Sequence, residues 1–351
     1  MTQATPIMNN TLNRKWLVKA RPTGKISESD FLFVDAPVPE PEDGEFLVKV
    51  MYLSATPALR RHLRATDIGE GRINTGDVMP GRGVGKVIKS RHKDFQAGDI
   101  VQGRFGWQEY AISSATRADI IHTIEQRRVP FSTGLGILGL NGFTAYLGMT
   151  DVGQPKPGDT VVVSGGAGGV GSKAGQIARL LGAGRIVGIA GSRKKCRMMV
   201  ENMGYDTAIN YRQENVSSKL AEVCPEGIDV FFDNVGGAIL DAALEHINKR
   251  ARIVCCGRIT DKTEKELEEQ RIKNYWRLGR QQARMEGFYV YDCLEDFPRA
   301  EEQLSKWLSE GKLDHSEDRL EGIEKMPEAL MKVLNGQGEG KVVVRIDPEA
   351  N

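Results

Sequence analysis

The sequence predicts a two-domain α/β protein in which a β-rich segment precedes a doubly wound parallel sheet. Its 351 residues exceed what one common hydrophobic core organises. Between Trp16 and Ser113 short β-type runs are separated by turns, and from Pro155 onward strands alternate with helical patterns, the rhythm of βαβ units.

In the first part, Phe46–Leu53, Gly83–Ile88 and Asp99–Gln102 are the clearest strands. In the second, strands are expected at Thr160–Val163, Arg185–Ile189, Asp229–Phe232 and Arg252–Cys255, with helices at Ser172–Leu181, Lys194–Met203 and Ile239–Asn248 between them. The charged segment Asp261–Lys273 reads as a solvated loop or short helix over the sheet edge. A strand at Phe288–Tyr291, an amphipathic helix around Ala300–Ser309 and a β-type terminus at Lys341–Arg345 complete the pattern, the last strand returning to the first domain.

Composition removes several functions. With 48 Lys+Arg against 47 Asp+Glu, mixed along the chain, no basic stripe exists to follow nucleic acid and no polybasic tail to meet anionic lipid. The segment Met1–Trp16 is polar and has no apolar h-region, and the most apolar long stretch, Phe131–Met149, is broken by glycines and Asn141, so neither a signal peptide nor a membrane span is expected. Five cysteines without framework spacing fit a reducing compartment, and the expectation is a cytoplasmic protein.

Gly166-Ala-Gly-Gly-Val-Gly171 matches G-x-G-x-x-G, follows a run of valines and opens a helical pattern. In that context the glycines permit a tight turn and close approach of backbone to a pyrophosphate at a helix N-terminus. The ATP-type loop is not matched, because Ser172 follows Gly171. Where an NAD site places a carboxylate after the second strand, this chain has Gly191-Ser-Arg-Lys-Lys195. A hydroxyl and cations there suit a 2′-phosphate, so NADP(H) is expected, with Ser192 and Lys195 as contacts.

Missing residues narrow the chemistry. No tyrosine has a lysine four positions later, which excludes the short-chain dehydrogenase pair, and no cysteine precedes Cys196, which excludes a zinc alcohol dehydrogenase site. The five histidines lack ligand spacing, so no metal is expected. Hydride chemistry without a metal relies on hydrogen bonds and positioning, and conjugated C=C bonds or quinones fit that requirement.

At these residues the chain resembles the zinc-independent medium-chain dehydrogenase/reductases, within them the leukotriene B4 dehydrogenase/prostaglandin reductase/alkenal double-bond reductase group. The resemblance runs over nearly the whole chain, through Leu53-Ser54, Gly106-Trp-Gln-Glu-Tyr110, Thr144-Ala-Tyr146, Gln154-Pro-Lys-Pro-Gly158, Ile209-Asn-Tyr211, Phe232-Asp-Asn-Val-Gly-Gly237, Arg284-Met-Glu-Gly-Phe288 and Gly340-Lys341. It implies a GroES-like catalytic domain split around a Rossmann domain, with boundaries expected at 1–137, 138–303 and 304–351, and a homodimer. It implies pyrophosphate contacts from Gly168, Gly169, Val170 and Gly171, and a 2′-phosphate contact from Tyr211 beside Lys195. Asn234, Cys256, Gly257, Arg258, Ile259, Phe288, Tyr289 and Val290 would surround the nicotinamide end, and Ala58, Trp107 and Thr144 the substrate pocket. Trp107 reads equally well as core.

The chain departs from the group on the substrate side. Ala58 replaces a familiar tyrosine, Ile259-Thr-Asp-Lys262 lacks a second one, and Gly338-Glu339 stands where an asparagine usually precedes Gly-Lys. Tyr275 is then the aromatic hydroxyl expected to assist protonation of the enolate, with the cofactor's ribose hydroxyl as the other donor. The expected activity is NADPH-dependent reduction of the C=C bond of an enal or enone, hydride going to the β-carbon. The alternatives are a quinone reductase of the same fold, an NADPH-binding protein of low turnover, or oxidoreduction of an alcohol. If 261–273 forms a lid, its cations favour anionic substrates.

Overall fold

Alternating burial along Trp16–Val18 and the near-continuous apolar run Phe46–Leu53 set the architecture of the β-rich unit. The structure is a computed structural model that describes residues 12–63, 73–116, 119, 122–123, 129–257 and 272–350. They form two compact units, one built of 1–132, 319–335 and 342–351, the other of 133–318 and 336–341. The chain thus crosses between units after 132, 318, 335 and 341, whereas the expected boundaries follow 137 and 303.

In the first unit β1 (Leu12–Val18) pairs antiparallel with β2 (Phe31–Pro37). A second sheet has the order β14 (Glu317–Glu321), β15 (Lys341–Arg345), β3 (Phe46–Ser54), β4 (Arg82–Ser90), β5 (Ile100–Arg104), β7 (His122–Thr123), with β6 (Tyr110–Ser113) also pairing β3. β15 runs antiparallel to β3, so the last strand does return to this unit, as its sequence suggested. The core holds Trp16, Phe31, Phe46, Trp107 and, from helix α9 (Met326–Leu334), Met326 and Leu330. Gly81 has no room for a side chain: a Cβ there would lie 2.7 Å from Trp107 Cδ1. Helix α1 (Leu59–Leu63) follows Ala58.

In the second unit the sheet order is β10 (Thr207–Asn210), β9 (Arg185–Ala190), β8 (Thr160–Ser164), β11 (Ile228–Asp233), β12 (Ile247–Cys255), β13 (Arg284–Gly287), all parallel. The first half is wound outward from β8 to β10 and the second from β11 to β13, so the connection reverses between β8 and β11. Helices α3 (Gly171–Leu180), α4 (Arg193–Asn202), α5 (Val216–Val223) and α6 (Gly237–Leu244) are the crossovers. Val162, Val187, Ile189, Phe231 and Ile253 from the strands pack with Leu220 and Leu244 from the helices. Also in this unit are α2 (Leu140–Leu147), α7 (Trp276–Gln281) and α8 (Phe297–Ser309). α8 stays with it because Phe297 packs its ring 4.7 Å from Phe143 and Trp307 stands edge-on to Tyr146 at 5.9 Å.

Two sequence expectations are corrected. The helix expected over Ile239–Asn248 ends at Leu244, and β12 already begins at Ile247. The strand expected at Phe288–Tyr291 lies at Arg284–Gly287, whose Met285 and Glu286 register with Ile253 and Val254 of β12, and the aromatics beyond it enter a short 3-10 turn at Val290–Asp292. Aromatic β propensity placed that strand too late, and pairing with β12 decided its position.

Candidate functional site

In an open parallel sheet, ligands bind outside the carboxyl ends of the strands where the winding reverses. Here that point is the ends of β8 and β11, Ser164 and Asp233. Ser164 Oγ donates to Asp233 Oδ1 at 2.7 Å and accepts from the Asn234 N–H at 2.8 Å. The same Asp233 oxygen accepts from the N–H groups of Val235 and Gly236, holding the turn that starts α6. Burial pushes the Asp233 carboxyl above its usual range, and these hydrogen bonds pull the other way. The Asn234 side-chain amide donates to the Ser164 carbonyl at 2.8 Å, so its oxygen is the group left to face a ligand.

The glycine loop joins β8 to α3. A Cβ on Gly171 would lie 2.3 Å from the Gly165 carbonyl oxygen, and one on Gly166 would lie 2.6 Å from Met199 Sδ, so helix and strand meet through bare backbone. The Tyr205 hydroxyl donates to the Gly171 carbonyl oxygen at 2.7 Å, fastening the loop from below. Tyr205 and Met199 are both buried against Gly166 and Gly188, with Tyr205 also filling the notch at Gly175. Among the described residues, the N–H groups of Gly169, Val170 and Gly171 have no acceptor. Unpartnered amides at the start of a helix, bearing its positive end, suit an anion. Asn141 at the start of α2 stands over this loop, its Nδ2 being 2.8 Å from where a Gly169 Cβ would be.

At the end of β9, Ser192 caps α4 by accepting from the Lys195 N–H at 3.2 Å. Arg193 Nε donates to Gln213 Oε1 at 2.9 Å, and Lys194 is ion-paired with Glu339. The Lys195 ammonium is half-buried with no hydrogen-bond or ion-pair partner among the described residues. Burial and then Arg212 push its pKa down, while Glu339 and Asp318 raise it. The Tyr211 ring lies 3.0 Å from where a Gly191 Cβ would be and has the Arg212 guanidinium 5.8 Å from its centroid. Unpartnered amides and an unpartnered cation, with no carboxylate at the strand end, fit the pyrophosphate and 2′-phosphate of NADP(H).

The nicotinamide-side expectations are placed as follows. The Cys256 and Gly257 N–H groups both donate to the Asp233 carbonyl oxygen, at 3.0 and 3.1 Å, so they follow β12 directly beside the turn of Asn234. Burial pushes the Cys256 thiol up to about 12, which keeps it protonated and out of nucleophilic chemistry. Arg258 and Ile259 lie outside the described residues, as does most of the charged segment, 261–271. Phe288 packs on Gly148, where a Cβ would lie 2.9 Å from the ring and 2.7 Å from Phe232. Tyr289 is half exposed with its ring 5.0 Å from Tyr291, and Val290 opens the 3-10 turn.

Three expectations are not carried by the geometry. Trp107 is fully buried among Phe31, Gly81 and Met79, so it is core and not pocket wall. The Thr144 hydroxyl turns back onto its own helix, donating to the Leu140 carbonyl at 2.5 Å. Tyr275 is 66% exposed, and its neighbour Asn274 is bound to Asp241 and Glu245, on the flank and far end of α6. That stretch of α6 leads to the start of β12, away from the crevice at Cys255–Gly257. Ala58 is exposed in the β-rich unit, one residue before α1.

Sequence reasoning passed over Ser164, Asp233, Tyr205, Asn141 and Lys173. Ser164, Tyr205 and Asn141 carry no motif of their own, and Asp233 stood inside Phe-Asp-Asn-Val-Gly-Gly without a role. Lys173, in the first turn of α3, is 1% exposed, and burial pushes its pKa down against the charges of Asp314 and Glu317.

Comparison with known proteins matches residues 14–121 to a family described as the N-terminal domain of oxidoreductase, and residues 169–306 to one described as zinc-binding dehydrogenase. Among the described residues, no group of three or more His, Cys, Asp or Glu is placed to hold a metal ion. The chain is 35% identical to the NADPH-dependent curcumin reductase of Escherichia coli (strain K12), over 95% of this chain and 97% of that protein. It is 36% identical to a 2-alkenal reductase (NADP(+)-dependent) of Nicotiana tabacum, over 96% and 98%. The crystal structure of CurA from Vibrio vulnificus in complex with NADPH superposes with a TM-score of 0.84 at 32% identity, covering 95% of this chain and 99% of that one.

Proposed function

The chain belongs to the medium-chain dehydrogenase/reductases, in the group of the prostaglandin, alkenal and curcumin reductases, and on that premise we propose that it is an NADPH-dependent reductase of the C=C bond of α,β-unsaturated aldehydes and ketones. The observation that carries the reading is the pair of unpartnered groups beside the β8/β11 reversal, the acceptor-free amides at Gly169–Gly171 after β8 and the Lys195 ammonium after the neighbouring strand β9.

When bound, the cofactor supplies a hydride for the β-carbon of the conjugated acceptor. The amides of Gly169–Gly171 hold the pyrophosphate in this reading, the expected Gly168 N–H being already bonded to the Gly165 carbonyl at 2.9 Å, and Ser192, Lys195 and Tyr211 hold the 2′-phosphate. The Asn234 oxygen, fixed by the bond of its amide to Ser164, accepts from the ribose on the nicotinamide side. Cys256, Gly257, Phe288, Tyr289 and Val290 line that end and exclude water. Tyr275 is the less supported part of the reading, because the structure seats it beside the far half of α6. A homodimer formed in the cytoplasm belongs to the same reading. Its support is that β13 ends the strand order among the described residues and that Tyr275, Trp276 and Tyr289 of the same unit are exposed.

The test is consumption of NADPH and NADH against a panel of enals, enones, a para-quinone and simple ketones. NADPH-selective conversion of an enone to its saturated ketone is expected. Faster quinone than enone turnover would move the assignment to quinone reduction, and cofactor binding without turnover would move it to a binding protein. Light scattering of the purified protein checks the dimer.

A further inference from the structure

Of the cations opening α4, Lys194 is the one with an acidic partner, and that partner comes from far along the chain. Glu339 belongs to the segment 336–341 that rejoins the α/β unit after α9. Its position is fixed by backbone: the Glu339 N–H donates to Asp318 Oδ2 at 3.0 Å. The next residue, Gly340, has φ +74° and sits so close to Ser316 that a Cβ would lie 2.7 Å from the Ser316 carbonyl oxygen. The carboxylate is therefore presented to Lys194 by a held loop and not by a chance swing of a long side chain. The same carboxylate, with Asp318, is the negative neighbour of Lys195, opposite Arg212.

We propose that Glu339 sets the cofactor preference of this site, its carboxylate competing with a 2′-phosphate for the Lys194 ammonium. The inference rests on the cofactor reading above and deepens it. The Lys194–Glu339 pair is open to exchange, because its side chains are 71% and 39% exposed and pairs of that kind add little net stability. A phosphate offers more charge and more acceptor oxygens than a carboxylate, so it can take Lys194 over. It does so against the residual repulsion of Glu339. A 2′-hydroxyl has the opposite relation to a carboxylate, since it can donate a hydrogen bond to it, the role that acidic residues fill in NAD sites. Glu339 therefore weakens NADPH binding and supports NADH binding, narrowing a discrimination that Lys195 and Tyr211 otherwise widen.

The experiment is equilibrium binding of NADPH and of NADH to the purified full-length protein, followed by nucleotide fluorescence or calorimetry. Wild type, Glu339→Gln, Lys194→Ala and the double variant are compared at one ionic strength. Glu339→Gln is expected to tighten NADPH by about three- to tenfold without tightening NADH, and to have a smaller effect once Lys194 is alanine. If Glu339→Gln leaves NADPH affinity within about twofold or weakens it, the carboxylate is not a competitor and the inference is wrong. A Glu339→Gln variant that binds NADPH no better than NADH would overturn the cofactor reading, and this inference with it. Glu339→Ala gives the same sign if the glutamine variant fails to fold.

Discussion

Ser164 and Asp233 end neighbouring strands and are joined by a 2.7 Å hydrogen bond from the serine hydroxyl to Oδ1 of the carboxylate. That one oxygen also accepts from Val235 and Gly236, while Oδ2 takes no part in these bonds. Asparagine can keep every bond made to Oδ1, and alanine keeps none. Asp233→Ala should lower unfolding stability by about 2–4 kcal/mol, and Asp233→Asn by much less, because buried donors without acceptors are what costs stability. Urea denaturation of the two variants decides it, and equal losses would mean that the charge and not the hydrogen bonds matters.

The glycines of the loop separate fold from ligand. At Gly171 a Cβ would run into backbone, the Gly165 oxygen at 2.3 Å and the Gly166 Cα at 2.8 Å. At Gly169 it would meet only the Asn141 side chain, which can move aside. Gly171→Ala should therefore unfold at clearly lower temperature, whereas Gly169→Ala should melt near wild type yet bind NADPH at least about tenfold more weakly. A melting curve and a binding titration on each variant suffice, and a Gly169→Ala protein with unchanged affinity would remove the pyrophosphate from this loop.

Lys195→Ala removes the half-buried ammonium that has no partner of its own. Loss of one charge-assisted hydrogen bond, about 1.5–3 kcal/mol, predicts roughly 10- to 150-fold weaker NADPH binding with NADH unchanged. Parallel loss for both nucleotides would indicate that Lys195 supports the helix and does not read the phosphate.

Tyr275→Phe should leave kcat/KM for an enone within about twofold, since removing a catalytic proton donor costs about a hundredfold or more. A loss of that larger size would restore Tyr275 as the proton donor and show that the turn moves toward the crevice in the working enzyme.

Lys173 predicts a pH dependence. Its native pKa is pushed below the 10.5 of the free side chain, so between those values the unfolded chain binds more protons than the folded one. Stability contributed through this group therefore rises with pH across that window and is lowest below it. Lys173→Met, similar in length and uncharged, should be more stable by about 1–3 kcal/mol at neutral pH and should lose that advantage as pH climbs. Denaturation of both proteins from pH 7 to 10 tests the sign.

Much of the α/β unit was legible because valine runs, the glycine loop and helical periodicity all report on local backbone. Ser192 and Lys195 could be placed because a strand end followed by a helix start has one geometry. Trp107 could not be placed, since a tryptophan beside a glycine-rich turn can face core or pocket, and only the bare Cα of Gly81 settles it. The surroundings of Tyr275 were not legible for a different reason: its motif fixed the residue in the chain, but Asp241 and Glu245 on another helix decide where its neighbour Asn274 sits. Glu339 is invisible as a partner of Lys194 until the chain has folded back across a sequence separation of 145.

The side chains that close the notch under the glycine loop also make its assembly vulnerable to oxidants at one stage only. Met199 is fully buried, with its sulfur against the bare backbone of Gly166 and Gly188. In the folded protein it has no surface open to solvent. A newly made or heat-unfolded chain exposes it, and a sulfoxide oxygen formed then is polar and has no room to return to that seat. Damage at Met199 is thus recorded during folding and not during service, and repair by a sulfoxide reductase has to come before the chain closes.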